Sequence, residues 1–158
     1  RDYAGKVPVL VGILKGSVIV LSDLARALTV DVEIDFISIS SYGRGTVSSG
    51  SVRLLKDLDL DVSGRDVLVV EDIVDSGLSL DYIRRNLLSR GPASLAIAAL
   101  LDKRERRALQ VDVRYVGFTV PDEFVIGYGL DYAERYRGVP EIRVLAPEEI
   151  SGSSAEGT

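Results

Sequence analysis

Val67-Leu68-Val69-Val70-Glu71-Asp72-Ile73-Val74-Asp75-Ser76-Gly77-Leu78-Ser79 is the stretch from which the rest of the chain can be read. Asp66–Val70 is an apolar, β-branched run of the kind buried on both faces of a parallel sheet. Two adjacent acids follow it and a third precedes Ser76-Gly77. Beyond Gly77, Leu80, Ile83, Leu87 and Leu88 recur at helical spacing until Arg90-Gly91-Pro92 ends the helix. In open α/β sheets, ligands bind beyond the carboxyl ends of the strands. The Asp75–Ser79 turn can aim successive backbone N–H groups and the Ser76 and Ser79 hydroxyls at a phosphate, whose charge a helix N-terminus favours. Gly77 lets the backbone come close. Acids beside such a site need a reason, because like charges repel. The economical one is that Glu71 and Asp72 take sugar hydroxyls or the magnesium accompanying a polyphosphate, leaving Asp75 to face the reacting part of the ligand. The plain alternative is a solvated strand end and helix cap, where Asp and Ser are ordinary. Acids on a strand that needs burial favour the site. The run is neither a dinucleotide fingerprint nor a P-loop, since it lacks both glycine patterns and the terminal Lys-Ser/Thr.

Outward from this segment the pattern repeats. Val7–Leu14 reads as a buried strand, Ser17 as the N-cap of a helix over Val18–Leu28 with Val20, Leu21, Leu24 and Leu28 on its apolar face, and Val32–Ser40 as a second strand. Ser41–Ser51, rich in Ser and Gly around Tyr42 and Arg44, reads as a flexible loop, and Val52–Leu55 as a short strand. Asp57–Gly64 supplies turn signals. Ser94–Leu101 is another buried strand, Lys103–Arg107 a short basic surface turn, Tyr115–Val120 a further strand, Phe124–Ile126 extended, and Ile142–Leu145 a last short strand. Repeated strand and helix imply an α/β fold on a mainly parallel sheet, in one domain over residues 1–150, with a disordered tail over 151–158.

Composition narrows the chemistry. The 158 residues suffice for one substantial core, and the 46% hydrophobic content and mean hydropathy of +0.18 suit a packed fold. No apolar run reaches the ~18 residues of a membrane span, so neither secretion nor anchoring is implied. With no Cys and no His, acid–base work falls to Asp, Glu, Lys or Tyr, and any metal is a hard ion held by oxygens. A net charge of -5 argues against a general nucleic-acid coat. Met is absent even at position 1, so the natural start is expected to lie upstream.

Other residues read two ways. Backbone N–H groups around Lys15 and Gly16 suit an anion at a strand-to-helix junction, or Lys15 is a solvated charge beside a turn. Lys103, after the strand ending at Leu101, either donates to a base carbonyl, preferring a 6-oxopurine over a 6-aminopurine, or is one more surface charge. Phe124 finds cover by stacking on a flat base or by core packing. Tyr42, between Ser41 and Gly43, fits a closing lid or an interface anchor.

The acidic run resembles the phosphoribosyl diphosphate motif of the type I phosphoribosyltransferases, and the wider chain resembles their hypoxanthine-guanine branch. The resemblance covers nearly the whole sequence, through Asp2-Tyr3-Ala4-Gly5-Lys6, Leu14-Lys15-Gly16-Ser17, Ser40-Ser41-Tyr42-Gly43, Leu101-Asp102-Lys103-Arg104, Val116-Gly117-Phe118, Pro121-Asp122-Glu123-Phe124-Val125 and Gly127-Tyr128-Gly129-Leu130-Asp131. It implies a Rossmann-like core with a small C-terminal hood, transfer of 5-phosphoribosyl from phosphoribosyl diphosphate to hypoxanthine or guanine, magnesium as cofactor, a cytoplasmic setting, and a homodimer or homotetramer that binds neither membrane nor nucleic acid. Carried over, Asp75 resembles the acid/base at purine N7. Asp75, Ser76, Gly77, Leu78 and Ser79 resemble the 5'-phosphate loop, with Ser76 and Ser79 where Thr is common. Glu71 and Asp72 resemble ribose and magnesium ligands, and Asp131 a second magnesium ligand. Leu14, Lys15, Gly16 and Arg137 resemble the pyrophosphate site, often with a cis peptide at Leu14-Lys15. Ser41 and Tyr42 resemble the mobile loop, and Lys103, Phe124 and the Val125 backbone the purine pocket. Asp131 and Arg137 can equally be partners in a weak surface ion pair. Rival readings are a xanthine-preferring enzyme, a family-like regulator that binds nucleotide or RNA, and a purely structural domain.

Overall fold

The computed structural model describes residues 1–41 and 52–152. Six strands, β1 (Val9–Ile13), β2 (Glu33–Ser41), β3 (Val52–Lys56), β4 (Asp66–Val74), β5 (Ser94–Asp102) and β6 (Tyr115–Thr119), form one sheet in the order β3-β2-β1-β4-β5-β6. All pairings are parallel except β2 with β3. Successive strand side chains face opposite ways, and the apolar runs feed both faces. Leu10, Leu68 and Val70 meet Leu21 of helix α1 (Val18–Ala27), while Val9, Val11, Val67 and Val69 join the cluster containing Leu80, Ile83 and Leu87 of α2 (Leu78–Leu88). Gly12 lets α1 settle on the sheet: a Cβ there would stand 2.7 Å from Leu21 Cδ1. From β1 the chain moves outward to β2 and β3, then returns across β1 to β4. The gap beyond the carboxyl ends of β1 and β4 is therefore the topological switch point, where such sheets take ligands.

Two small elements complete the chain, an antiparallel pair β7 (Val125–Ile126) and β8 (Arg143–Val144), and α3 (Pro147–Gly152). Glu149 fastens them. Its carboxylate takes both terminal nitrogens of Arg143 at 2.9 Å and the Ala146 amide at 3.0 Å, closing the helix start as an N3 glutamate does. The hydrogen bonds from Arg143 and Ala146 hold its carboxyl down at about 2. A carboxyl depressed in the fold stabilises above its ordinary value of 4.5 and loses that contribution as pH falls toward 2. Glu149→Gln is accordingly expected to flatten the fall in stability between those values. Urea unfolding at a series of pH values reads the effect, and identical acid limbs would show that the pair carries no linkage.

Several boundaries differ from the sequence reading. β4 does not stop at Val70, because its pairing with β5 continues through Glu71↔Ala99, Ile73↔Leu101 and Val74↔Asp102, so Glu71 and Asp72 belong to the strand. Ser17 is not a side-chain N-cap. Its backbone is helical (φ -74, ψ -9), and its buried Oγ has no partner among the described residues. Leu88, placed on the apolar face of its helix, is 43% exposed. The basic run is a surface turn only over the 3-10 helix Arg104–Arg106, since Lys103 and the Arg107 side chain are buried. α3 carries Ser151 and Gly152, two residues expected in the tail, and 153–158 lie outside the described residues. Among the described residues no helix is long and apolar enough to cross a membrane.

Candidate active site at the switch point

The loop after β4 is built around Gly77, whose φ of 86° is open to glycine and strained for other residues. A Cβ there would also stand 2.6 Å from the Leu109 carbonyl oxygen. That close approach seats the segment after Lys103 behind the loop, where the Ala108 and Leu109 amides donate to the Ser76 carbonyl at 3.0 and 3.1 Å. With its carbonyl side held from behind, the loop turns its N–H groups forward. The amides of Ser76, Gly77, Ser79 and Leu80 have no acceptor among the described residues, and that of Leu78 has only Ser76 Oγ at 3.4 Å. These donors open α2, and a cleft of ≈ 240 Å³ lies against them, lined by Glu71, Asp75, Ser76, Gly77 and Ser79 with Ile13 behind. Buried or half-buried N–H groups without an acceptor require one from water or a ligand.

Glu71 lines this cleft, whereas Asp72 lies against the Cα of Gly16. Burial first, then the neighbouring Asp72 charge and hydrogen bond, pushes the Glu71 carboxyl well above the ordinary range. Neither acid has an ion-pair partner among the described residues, which fits a cation. Asp131 stands apart from them: its carboxylate takes the Glu134 amide at 2.9 Å and lies 3.3 Å from Arg137. No cluster of three carboxylates able to hold a metal occurs among the described residues. Glu71 and Asp72 could supply one or two oxygen ligands to a hard cation whose remaining positions go to water and substrate phosphates.

Across the switch point, the Leu14-Lys15 peptide is cis, and the loop it begins is packed on both sides. A Cβ on Gly16 would collide with the Asp72 carboxylate, and one on Gly129 (φ 98°) with the Gly16 carbonyl. Lys15 and Arg137 converge on one acid that the sequence reading left without a role. Glu134 Oε2 sits 2.8 Å from Lys15 Nζ and 3.4 Å from Arg137 Nη2. Arg137 also donates to the Gly129 carbonyl at 2.8 Å, so the weak-ion-pair alternative for Arg137 and Asp131 is present in the geometry, within a larger cluster.

On the other flank, Lys103 leaves the end of β5 with its amide on the Val74 carbonyl at 2.9 Å and its side chain 8% exposed. It is no plain surface charge. Asp75 is half exposed and faces Arg106 at 3.2 Å. Phe124 is 46% exposed, its ring edge-on to Tyr132 at 5.6 Å, so core packing does not claim it. The Val125 backbone lies in β7, where Leu145 donates to the Phe124 carbonyl at 2.8 Å. Ser41 ends β2, and Tyr42 lies outside the described residues.

The structure thus joins Asp75–Ser79 with Glu71 in one cleft, Asp72 with Gly16, and Lys15 with Arg137 through Glu134. The sequence reading assigned no role to Glu134 and included Gly129, Asp122 and Arg106 only within motifs or a basic run. The contacts of Glu134 with Lys15, of Gly129 with Gly16 and of Arg106 with Asp122 join distant parts of the chain, and no spacing rule finds them.

Known proteins resemble the chain over most of its length. Residues 1–133 match the family model described as "Phosphoribosyl transferase domain". A hypoxanthine-guanine phosphoribosyltransferase from Mycobacterium avium is 53% identical over 150 residues, covering 93% of this chain and 74% of the relative. That from Streptococcus agalactiae is 49% identical over 150 residues, covering 95% and 83%. The crystal structure of a hypoxanthine phosphoribosyltransferase from Staphylococcus aureus superposes with a TM-score of 0.89 at 49% identity, covering 93% of this chain and 80% of that one. The chain belongs to the phosphoribosyl transferase domain family, among the hypoxanthine-guanine phosphoribosyltransferases.

Proposed function

We propose that the chain transfers 5-phosphoribosyl from phosphoribosyl diphosphate to N9 of hypoxanthine or guanine, giving IMP or GMP and pyrophosphate. The observation that carries this reading is the set of amides at Ser76, Gly77, Ser79 and Leu80 that have no acceptor among the described residues and open a helix beside Glu71 in one cleft. The amides and the Ser76 and Ser79 hydroxyls receive the 5'-phosphate. Glu71 and Asp72 hold the ribose hydroxyls. The Leu14 amide is spent on the Ile37 carbonyl at 2.9 Å, so the Lys15 and Gly16 amides with the Lys15 and Arg137 side chains receive pyrophosphate, which takes the place Glu134 occupies between the two cations. Lys103 donates to the purine 6-oxygen, Phe124 stacks on the ring, and the Val125 backbone meets its edge. Ser41 and Tyr42 belong to a segment that closes over the reactants.

In the reaction the C1'–oxygen bond to pyrophosphate loosens and positive charge spreads over the ribose ring. Purine N9 then attacks C1' with inversion and pyrophosphate departs with the bonding pair. Carboxylates near the ribose favour the growing cation, and Lys15, Arg137 and loop amides favour the leaving anion. Asp75 takes the N7 proton as charge moves through the base. Glu71 and Asp72 would hold one magnesium and Asp131 a second, each with substrate oxygens, and the ions would supply positive charge against the diphosphate. On the family relationship, the enzyme works in the cytoplasm as a homodimer or homotetramer.

Purified protein supplied with phosphoribosyl diphosphate, magnesium and equal amounts of hypoxanthine, guanine and xanthine should form IMP and GMP at least about tenfold faster than XMP. A single hydrogen-bond mismatch at a buried site suffices for that ratio. Chromatography of the products decides it. XMP as the main product would shift the reading to the xanthine enzyme, and no nucleotide at all would overturn it.

A further inference from the structure

Lys103 and Asp75 are the two groups placed at neighbouring atoms of the purine, its 6-oxygen and its N7. Between them the structure sets two charged side chains that no role yet explains. Asp122 Oδ1 lies 3.7 Å from Lys103 Nζ and accepts from Arg106 Nη1 at 3.3 Å, while Arg106 Nε lies 3.2 Å from Asp75 Oδ1. The charges alternate along the line, cation, anion, cation, anion.

Stability does not account for this line. The Arg106, Asp75 and Asp122 side chains are 53%, 49% and 45% exposed, and ion pairs so wetted contribute little to folding. What the pairing does fix is direction. A carboxylate has two oxygens with about four acceptor positions, so a guanidinium on Oδ1 leaves Oδ2 for another donor. The segment that carries Arg106 is itself anchored. Lys103 and Arg107 at either end are buried, Arg107 is paired with the buried Asp102, and the amides just beyond hold the Ser76 carbonyl beside Asp75. Arg106 therefore reaches Asp75 from a support tied to the same loop.

We propose that Arg106 is a positioning residue for Asp75: it engages one carboxylate oxygen so that the other is presented to purine N7, and through Asp122 it ties that alignment to Lys103. This rests on the role proposed above for Asp75. The arrangement follows the pattern in which a group that handles a proton is oriented by a third side chain. Its benefit is geometric, because a proton acceptor aimed before the base arrives needs no reorganisation in the transition state.

Steady-state kinetics on the full chain test it. Arg106→Ala should lower kcat/KM for hypoxanthine about tenfold, the scale of a modest misalignment of a reacting group. KM for phosphoribosyl diphosphate and the melting temperature should hold. Arg106→Lys, which keeps the charge but loses the two-armed reach, should recover part of the loss. In an Asp75→Ala background, Arg106→Ala should cost nothing further, since coupled residues are not additive. Unchanged kcat/KM in Arg106→Ala, or a full additional loss in the double variant, would overturn the proposal. An Asp75→Ala protein with normal turnover would remove both this inference and the catalytic role it rests on. A crippled Asp75→Ala beside a normal Arg106→Ala would remove this inference alone.

Discussion

Asp75→Ala is expected to lower kcat by about 10²- to 10⁴-fold, the range over which a positioned proton acceptor acts. The melting temperature should change little, because the side chain is half exposed and its partner Arg106 is equally wet. As N9 bonds to C1', the imidazole ring of the purine becomes cationic and the N7–H bond weakens. A carboxylate at that atom stabilises the charge where it develops and not in the ground state, so its removal falls on kcat more than on binding. KM for phosphoribosyl diphosphate should remain close to that of the parent, since the Ser76, Gly77, Ser79 and Leu80 amides survive the change. Asp75→Asn, which keeps the shape but cannot take the proton, should fall between the two. Rates of IMP formation with a thermal melt on each variant make the check. Turnover within twofold of the parent would take Asp75 out of the chemistry.

The arrangement of the sheet was legible because the information is local and repetitive. Val67–Val70 and Val9–Ile13 are buried on both faces and say so in composition, Ser94–Leu101 is buried at Ala96, Ile97, Ala99 and Leu101, and α2 announced its buried face through Leu80, Ile83 and Leu87. What failed were boundaries set by partners far away in the chain. Glu71-Asp72 looks like a strand end by hydropathy. Whether a backbone stays extended depends instead on a neighbour, and β5, a full crossover later, supplies one as far as Asp102. Ser17 has the residue type of a cap without the conformation of one. In the site, the acidic run and its glycine were readable because adjacent residues form them. Glu134 meets Lys15 across 119 positions, and Arg106 meets Asp122 across 16, so neither pair has a signature in spacing. Resemblance reached Lys15, Arg137 and Asp75, but Glu134 and Arg106, which pair with them, follow from no motif.

Gly16→Ala should be nearly as damaging as losing Asp75, with a different signature. The added Cβ would stand 2.5 Å from Cγ of Asp72 and nearer still to Oδ2, too close for any real contact, so one partner must give way. The Gly16 loop has little freedom to retreat, because its carbonyl is pressed by Gly129 on the other side and Ser17 and Val18 donate back to Ile13 and Lys15 at 3.3 and 3.2 Å. Asp72 is tethered by the Ile73 amide at 2.8 Å on Oδ1 and by its hydrogen bond with the Glu71 carboxyl, contacts that a side-chain rotation breaks, so the carboxylate is what swings. On the role proposed for Asp72, a displaced carboxylate no longer serves the ribose hydroxyls. Both the hold on phosphoribosyl diphosphate and the stabilisation of the ribose cation suffer. We expect kcat/KM for phosphoribosyl diphosphate to drop about 100-fold or more, equivalent to roughly 3 kcal/mol of lost transition-state stabilisation. KM should rise together with the loss in kcat, unlike in Asp75→Ala. Asp72→Ala provides the control: if the damage in Gly16→Ala comes from Asp72 being pushed aside, adding Asp72→Ala to it should relieve the collision, restore any lost melting temperature and cost little more activity than Asp72→Ala alone. A Gly16→Ala protein with normal kcat/KM would mean that loop and carboxylate part easily, and that their close packing has no bearing on substrate.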